Sequence, residues 1–191
     1  GIQRAFIIEG LLFLGIIIVL AQVLANPPAG YVPYGGPPPA TKAAAAAASR
    51  HDFSPREMLS TPQFYLLWIM FCLTASAGLM IIGHLAKIAE VQGGIKSGYW
   101  FVAILAIANA SGRIIAGWLS DRLGRTNTML LVFCLQAVNM FLFASYKTFA
   151  TLIMGSVLTG LAYGALLALF PSATYDFFGL KYAGTNYGLV F

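Results

Sequence analysis

Three apolar, proline-poor stretches of this sequence run for twenty or more residues without a charge: Phe64 to Gly83, Thr126 to Tyr146 and Thr148 to Tyr175. A helix needs about 20 mostly apolar residues to cross the hydrocarbon core of a bilayer, whereas a buried helix of a soluble domain needs fewer. Two further stretches qualify with one interruption each, Ala5 to Leu24 with Glu9 and Tyr99 to Ser120 with Arg113. Five complete spans are therefore predicted. A sixth apolar segment starts near Asn186 and reaches the last residue, Phe191. The fold class that follows is all-α, a polytopic membrane helical bundle.

Composition closes the other routes. Lys, Arg, Asp and Glu together supply 17 of 191 residues, where a soluble domain carries about a quarter. Disorder is excluded too, since it requires low hydrophobicity and high charge. The formal charge of +5 does not imply nucleic acid as a partner, because the cations are scattered and make no basic face. Cys72 and Cys134 fall inside apolar stretches and read as small buried hydrophobes, neither a disulfide framework nor a metal site. No cofactor is expected, and no enzyme, since no metalloprotease, phosphate-loop or nucleophile-elbow motif is present.

The first span lacks the basic start and cleavage site of a signal peptide and reads as a mature helix. Between it and the second span lies a segment with Pro27, Pro28, Pro37, Pro38 and Pro39, then alanines from 43 to 48. This reads as a stiff linker. It ends in Ser54-Pro55-Arg56-Glu57, a capping box that predicts a short surface helix, and Thr61-Pro62 repeats the start signal for the second span. Alternation of sides places Lys42, Arg50, Arg56, Arg122, Arg125 and Lys181 on one face, against Arg4, Lys87, Lys96 and Lys147 on the other. The six-to-four excess makes the first face cytoplasmic, and with it the linker 26–62 and the loop 121–125.

That loop carries the most specific motif, Gly117-Trp118-Leu119-Ser120-Asp121-Arg122-Leu123-Gly124-Arg125. Its glycines permit a tight turn, and an Asp with two Arg can form a charged latch at a helix end. The alternative is a basic turn that only anchors a helix to headgroups. The spacing resembles the G-x-x-x-D-R-x-G-R loop of the major facilitator superfamily. Asn26-Pro27-Pro28-Ala29-Gly30-Tyr31, Glu57 to Phe64, Leu169-Phe170-Pro171-Ser172 and Thr185-Asn186-Tyr187-Gly188 are similar to its oxalate:formate antiporter and monocarboxylate transporter branch. The resemblance implies the sixth to tenth of twelve helices and the beginning of the eleventh. Residues 1–25 would then close the N-terminal half, 26–62 would be the central linker, and 63–191 would hold four complete helices of the C-terminal half and the start of a fifth. The chain would be a fragment, and the missing N-terminal half would be its partner.

Arg113 is the first candidate for function. An Arg in the interior of a span costs about 3 kcal/mol or more unless it faces protein or water, and its fork matches a carboxylate. Asn109 lies one turn earlier on the same face. The resemblance implies that an arginine at this place binds the substrate carboxylate, and that an Asp often stands where this chain has Asn109. Proton coupling would then need another group, of which His84 titrates nearest to neutral pH. Tyr163 needs a partner for its hydroxyl, and related exchangers place an aromatic there to cage the substrate. Gly155, Gly160 and Gly164 suit close helix packing, and Gln136 and Asn139, on one face, suit interhelical hydrogen bonds. Glu9 and Asp176 read as interfacial. Gly117, Asp121, Arg122, Gly124 and Arg125 are the expected gate, with Asp121 meeting the helix that starts near Ala183. The expected function is secondary active transport of small organic anions, monocarboxylates such as lactate with protons, by alternating access in the cell (inner) membrane. The alternatives are an oxalate:formate-type exchanger and a non-transporting receptor or scaffold.

Overall fold

The computed structural model describes residues 2–23 and 51–191. The proline-rich linker, the alanine run and the cations Lys42 and Arg50 lie outside the described residues. The chain separates into two units, 1–45 and 46–191. In the first, α1 (Ile2–Val23) is one continuous helix, and its described side chains, Glu9 included, are exposed.

The second unit is built from α2 (Pro55–Leu59), α3 (Pro62–Gly93), α4 (Tyr99–Leu123), α5 (Arg125–Phe143), α6 (Phe149–Phe178) and α7 (Ala183–Val190). α3 to α6, like α1, are long and apolar enough to cross a membrane. The architecture is the expected all-α membrane bundle. Helix starts follow local chemistry. Ser54 N donates to Glu57 Oε2 at 2.7 Å, and Glu57 N donates to Ser54 Oγ at 3.4 Å, which closes the capping box. Thr61 accepts from Phe64 N and precedes Pro62. At the start of α6, Thr148 and Thr151 reproduce the box with a hydroxyl in place of the carboxylate.

Two boundaries differ from those read in the sequence. α3 runs to Gly93, not Gly83. Its 32 residues span about 48 Å at 1.5 Å per residue, well beyond a core of about 30 Å. The added turns carry Lys87 and Glu90, which pair at 2.9 Å, so the helix outlasts its apolar segment. α6 continues through Pro171 to Phe178. α7 begins at Ala183, the expected start of that helix and three residues ahead of the apolar segment at Asn186.

α6 is the hub, packed most extensively on α4 and then on α5, α3 and α7. Two apolar clusters divide the unit along its length. One joins Met58, Phe64, Phe71, Ala116, Met129 and Phe170 near α2 and the α4–α5 turn. The other joins Ile81, Leu85, Phe101, Leu105, Phe143 and Leu152 toward the opposite end. The buried residues between them are small or polar: Gly78 on α3, Ala108 and Gly112 on α4, Gln136 and Asn139 on α5, and Gly155, Ser156, Thr159 and Gly160 on α6, with the half-buried Asn109 and the exposed Arg113 at the same depth of α4. A polar layer at mid-span is the consequence.

Candidate functional site

Arg113 is placed by glycines on its neighbour. A Cβ on Gly164 would overlap the Asn109 carbonyl and stand 3.2 Å from Arg113 N, and one on Gly160 would lie 2.5 Å from the Leu105 carbonyl. From the other side, a Cβ on Gly112 would overlap the Leu161 backbone. The two helices therefore meet backbone to backbone, the geometry that small residues four apart permit. This contact holds the Arg113 backbone fast while its side chain stays exposed. Asn109 is half-buried, and its Oδ1 is buried without a hydrogen-bond partner among the described residues. An orphaned acceptor one turn from a guanidinium asks for a donor.

Tyr163, half-buried, lies against Gly78 of α3, where a Cβ would come within 2.5 Å of its ring. Tyr163 and Tyr187 both pack on the first apolar cluster. Packing thus links four helices: Gly78 of α3 meets Tyr163 of α6, Tyr163 shares a cluster with Tyr187 of α7, and Gly164 of α6 lies against Asn109 and Arg113 of α4. Gly78 and Tyr187 carry no chemistry of their own in sequence; a glycine in mid-span opposite an aromatic was the available signal.

His84 does not join this group. It is exposed, and its Nδ1 donates to the Met80 carbonyl at 3.0 Å, which assigns that nitrogen the proton. Six residues beyond Gly78, it points about 120° away from the Tyr163 side of α3.

At the end carrying the α4–α5 turn, Gly124 alone separates the helices, with φ 84°. A side chain would be strained there. Arg125 Nε donates to Asp176 Oδ2 of α6, and Nη1 donates to the buried Ser120 Oγ at 3.1 Å. Asp176, read in sequence as interfacial, is thus a latch partner; an acid closing a long uncharged span was the signal. Arg122 lies over the Trp118 ring at 4.2 Å. Asp121 is exposed and makes no ion pair among the described residues, and Gly117 has open space beside it. A cavity of about 450 Å³ opens beside the latch, lined by His51, Arg125, Met129 and Asp176 among others.

On its other side α6 meets α5 through Asn139. Its Nδ2 donates to the Gly155 carbonyl at 3.2 Å and to Thr159 Oγ1 at 2.9 Å, and Tyr146 OH donates to its Oδ1 at 3.4 Å. Gln136 departs from the expectation. It is 4% exposed, yet neither end of its amide has a partner among the described residues. The cysteines depart as well, Cys134 being exposed and Cys72 half-buried, because a helix surface facing lipid is as apolar as one facing protein.

Apolar spans, a polar layer at mid-depth and a latched turn define a polytopic helical membrane protein. The profile of the Major Facilitator Superfamily matches residues 1–191, and the chain belongs to that family. It is 31% identical over 192 residues to the oxalate:formate antiporter of Oxalobacter formigenes, covering 98% of this chain and 43% of that protein. It is 27% identical to the MFS-type transporter YhjX of Escherichia coli (strain K12), over 100% of this chain and 46% of the relative. Monocarboxylate transporter 12-B of Danio rerio is 30% identical over 138 residues, 70% of this chain and 29% of that protein. The antiporter and the monocarboxylate transporter match the branch that the motifs resemble. The chain spans less than half of the length of each.

Proposed function

We propose that this chain forms the carboxylate-binding part of a secondary active transporter that moves small organic anions, monocarboxylates such as lactate with protons, by alternating access. The carrying observation is Arg113, a mid-span guanidinium seated by backbone contact in a polar layer between two apolar clusters. Its fork would grip the carboxylate. The free acceptor of Asn109 would take the hydrogen of a 2-hydroxyl group, and Tyr163 would close one side. The Gly117 to Arg125 turn, latched through Arg125 and Asp176, would gate the cytoplasmic end of the cell (inner) membrane protein. In this reading residues 26–62 link to an N-terminal half contributed by the rest of the protein. Among the described residues no acid stands beside Arg113, so proton coupling through His84 would be indirect.

A second reading, exchange of the oxalate:formate type, is favoured by the identity to the antiporter over nearly the whole chain. Uptake of labelled lactate, pyruvate, formate and oxalate into liposomes holding the full-length protein that carries this sequence separates the two. Lactate uptake that rises with an inward proton gradient supports the first; oxalate uptake that requires internal formate supports the second. Under either, Arg113→Lys keeps the charge and loses the fork. Apparent affinity should fall about 10- to 150-fold, the equivalent of one charge-assisted hydrogen bond. Unchanged affinity would remove Arg113 from the site, and absence of any uptake would favour a receptor or scaffold.

A further inference from the structure

The segment just ahead of α2 is bound to the corner between α6 and α7. Asp52 Oδ1 accepts from Leu180 N at 2.9 Å and from Lys181 N at 3.2 Å. Phe53 N donates to the Phe178 carbonyl at 3.0 Å, and the Phe53 carbonyl accepts from Asn186 Nδ2 at 3.0 Å. The Phe53 and Phe178 rings meet edge to face at 5.8 Å. Four hydrogen bonds thus tie two consecutive residues to a corner more than 120 positions away. The capping box and the fully buried Met58 follow at once and hold the segment to the bundle.

The corner needs this support. Gly179 has φ 83°, and a Cβ there would run into the Asp52 carboxylate. The left-handed turn leaves the N–H groups of residues 180 and 181 outside any helix, aimed at one oxygen. α7 starts just beyond this turn, at Ala183. It carries the buried Asn186 and, next to it, Tyr187, which shares a packing cluster with Tyr163.

We infer that Asp52 is a positioning residue of the Arg113 site: its carboxylate fixes the Gly179–Lys181 turn, the turn sets α7, and α7 brings Tyr187 onto the apolar cluster that also seats Tyr163, whose neighbour Gly164 lies against the Arg113 backbone. Asp52 touches no substrate. The inference rests on the carboxylate reading for its functional half, while its structural half stands on the hydrogen bonds alone.

The test uses the full-length protein in liposomes and in nanodiscs. Asp52→Ala should raise the half-saturating concentration of carboxylate uptake about three- to tenfold, the equivalent of one hydrogen bond, and lower the maximal rate less. Asp52→Asn retains the accepting oxygen and should stay within about twofold of the parent. Gly179→Ala displaces the carboxylate and should match Asp52→Ala, with the double variant no worse than either. In parallel, hydrogen exchange of the peptide covering residues 179–186 should quicken in Asp52→Ala and in Gly179→Ala but not in Asp52→Asn. Exchange unchanged in both disruptive variants overturns the clasp. Faster exchange with parental half-saturation overturns the positioning role. A parent that takes up no carboxylate refutes the transport reading and the functional half with it, while exchange still decides the clasp.

Discussion

Where α6 meets α4, Gly160 and Gly164 bring backbone against backbone, and no side-chain hydrogen bond among the described residues crosses at those glycines. Where the same helix meets α5, it offers Gly155 and Thr159 to the amide of Asn139, and the contact is hydrogen-bonded. Lipid tails are as apolar as leucine, so helices inside a bilayer associate through close packing or through polar bonds, and α6 uses one on each side. The two differ in what a displacement costs. A glycine contact has no directional bond to break when one helix shifts along another, while the Asn139 bonds specify a single register. α6 and α5 are in this sense a fixed pair, and α4, which carries Arg113, packs against that pair by shape.

The largest way to break this contrast is to fill the glycine face. Gly164→Ala would force its Cβ into the Asn109 carbonyl, a backbone atom that cannot move aside. A loss of about 3 kcal/mol or more in stability is expected, together with loss of whatever Arg113 does. Gly83→Ala on α3 has open space around it and should be neutral or slightly stabilising, by up to about 1 kcal/mol. Thermal unfolding of both variants in detergent checks the pair, and equal effects would mean that α4 and α6 do not meet as described.

On the polar face, Asn139→Leu should cost about 1 to 2 kcal/mol, because it deprives Thr159 and the Gly155 carbonyl of their donor. Gln136→Leu, one turn away and equally buried, should cost nothing and can gain about 1 kcal/mol, since it removes a polar group with no partner. A Gln136→Leu variant as unstable as Asn139→Leu would reveal a bonded glutamine and extend the polar seam by a turn.

The smallest effect sharpens the comparison by moving the same kind of bond into water. The Ser54 backbone N–H, with help from the Ser54 hydroxyl, holds the exposed Glu57 carboxyl below its ordinary value of 4.5. A lowered folded value means that the cap is present in full above about pH 4.5 and is lost as pH falls through that lower value. The amide shift of labelled Ser54 should therefore titrate with a midpoint under 4.5. A midpoint at or above it would show that the bond is not formed.

Much of this was written locally. The capping box at Ser54 and Glu57, the caps at Thr61 and Thr148, the five spans and the Gly124 turn depend on neighbours within a few residues and on the hydropathy of one stretch, so residue order alone determines them. The identification of Arg113 was legible for the same reason, since a charge in a span is costly wherever the helix lies.

What residue order left open is what lies across the gap between helices. Hydropathy measures a preference for oil and is silent on whether that oil is lipid or protein, so it did not separate the exposed Cys134 from the buried Val132. Nor could it end α3, whose backbone bonds continue past the apolar stretch to Gly93. Asp176 as the partner of Arg125, Gly78 as the bed of Tyr163, and Asp52 as the clasp on Leu180 and Lys181 join residues 51, 85 and 128 positions apart. Such pairs are chosen by how helices cross and how closely they approach. Only the tertiary structure decides that, because the van der Waals and hydrogen-bond terms that select one crossing exist only once the helices are side by side.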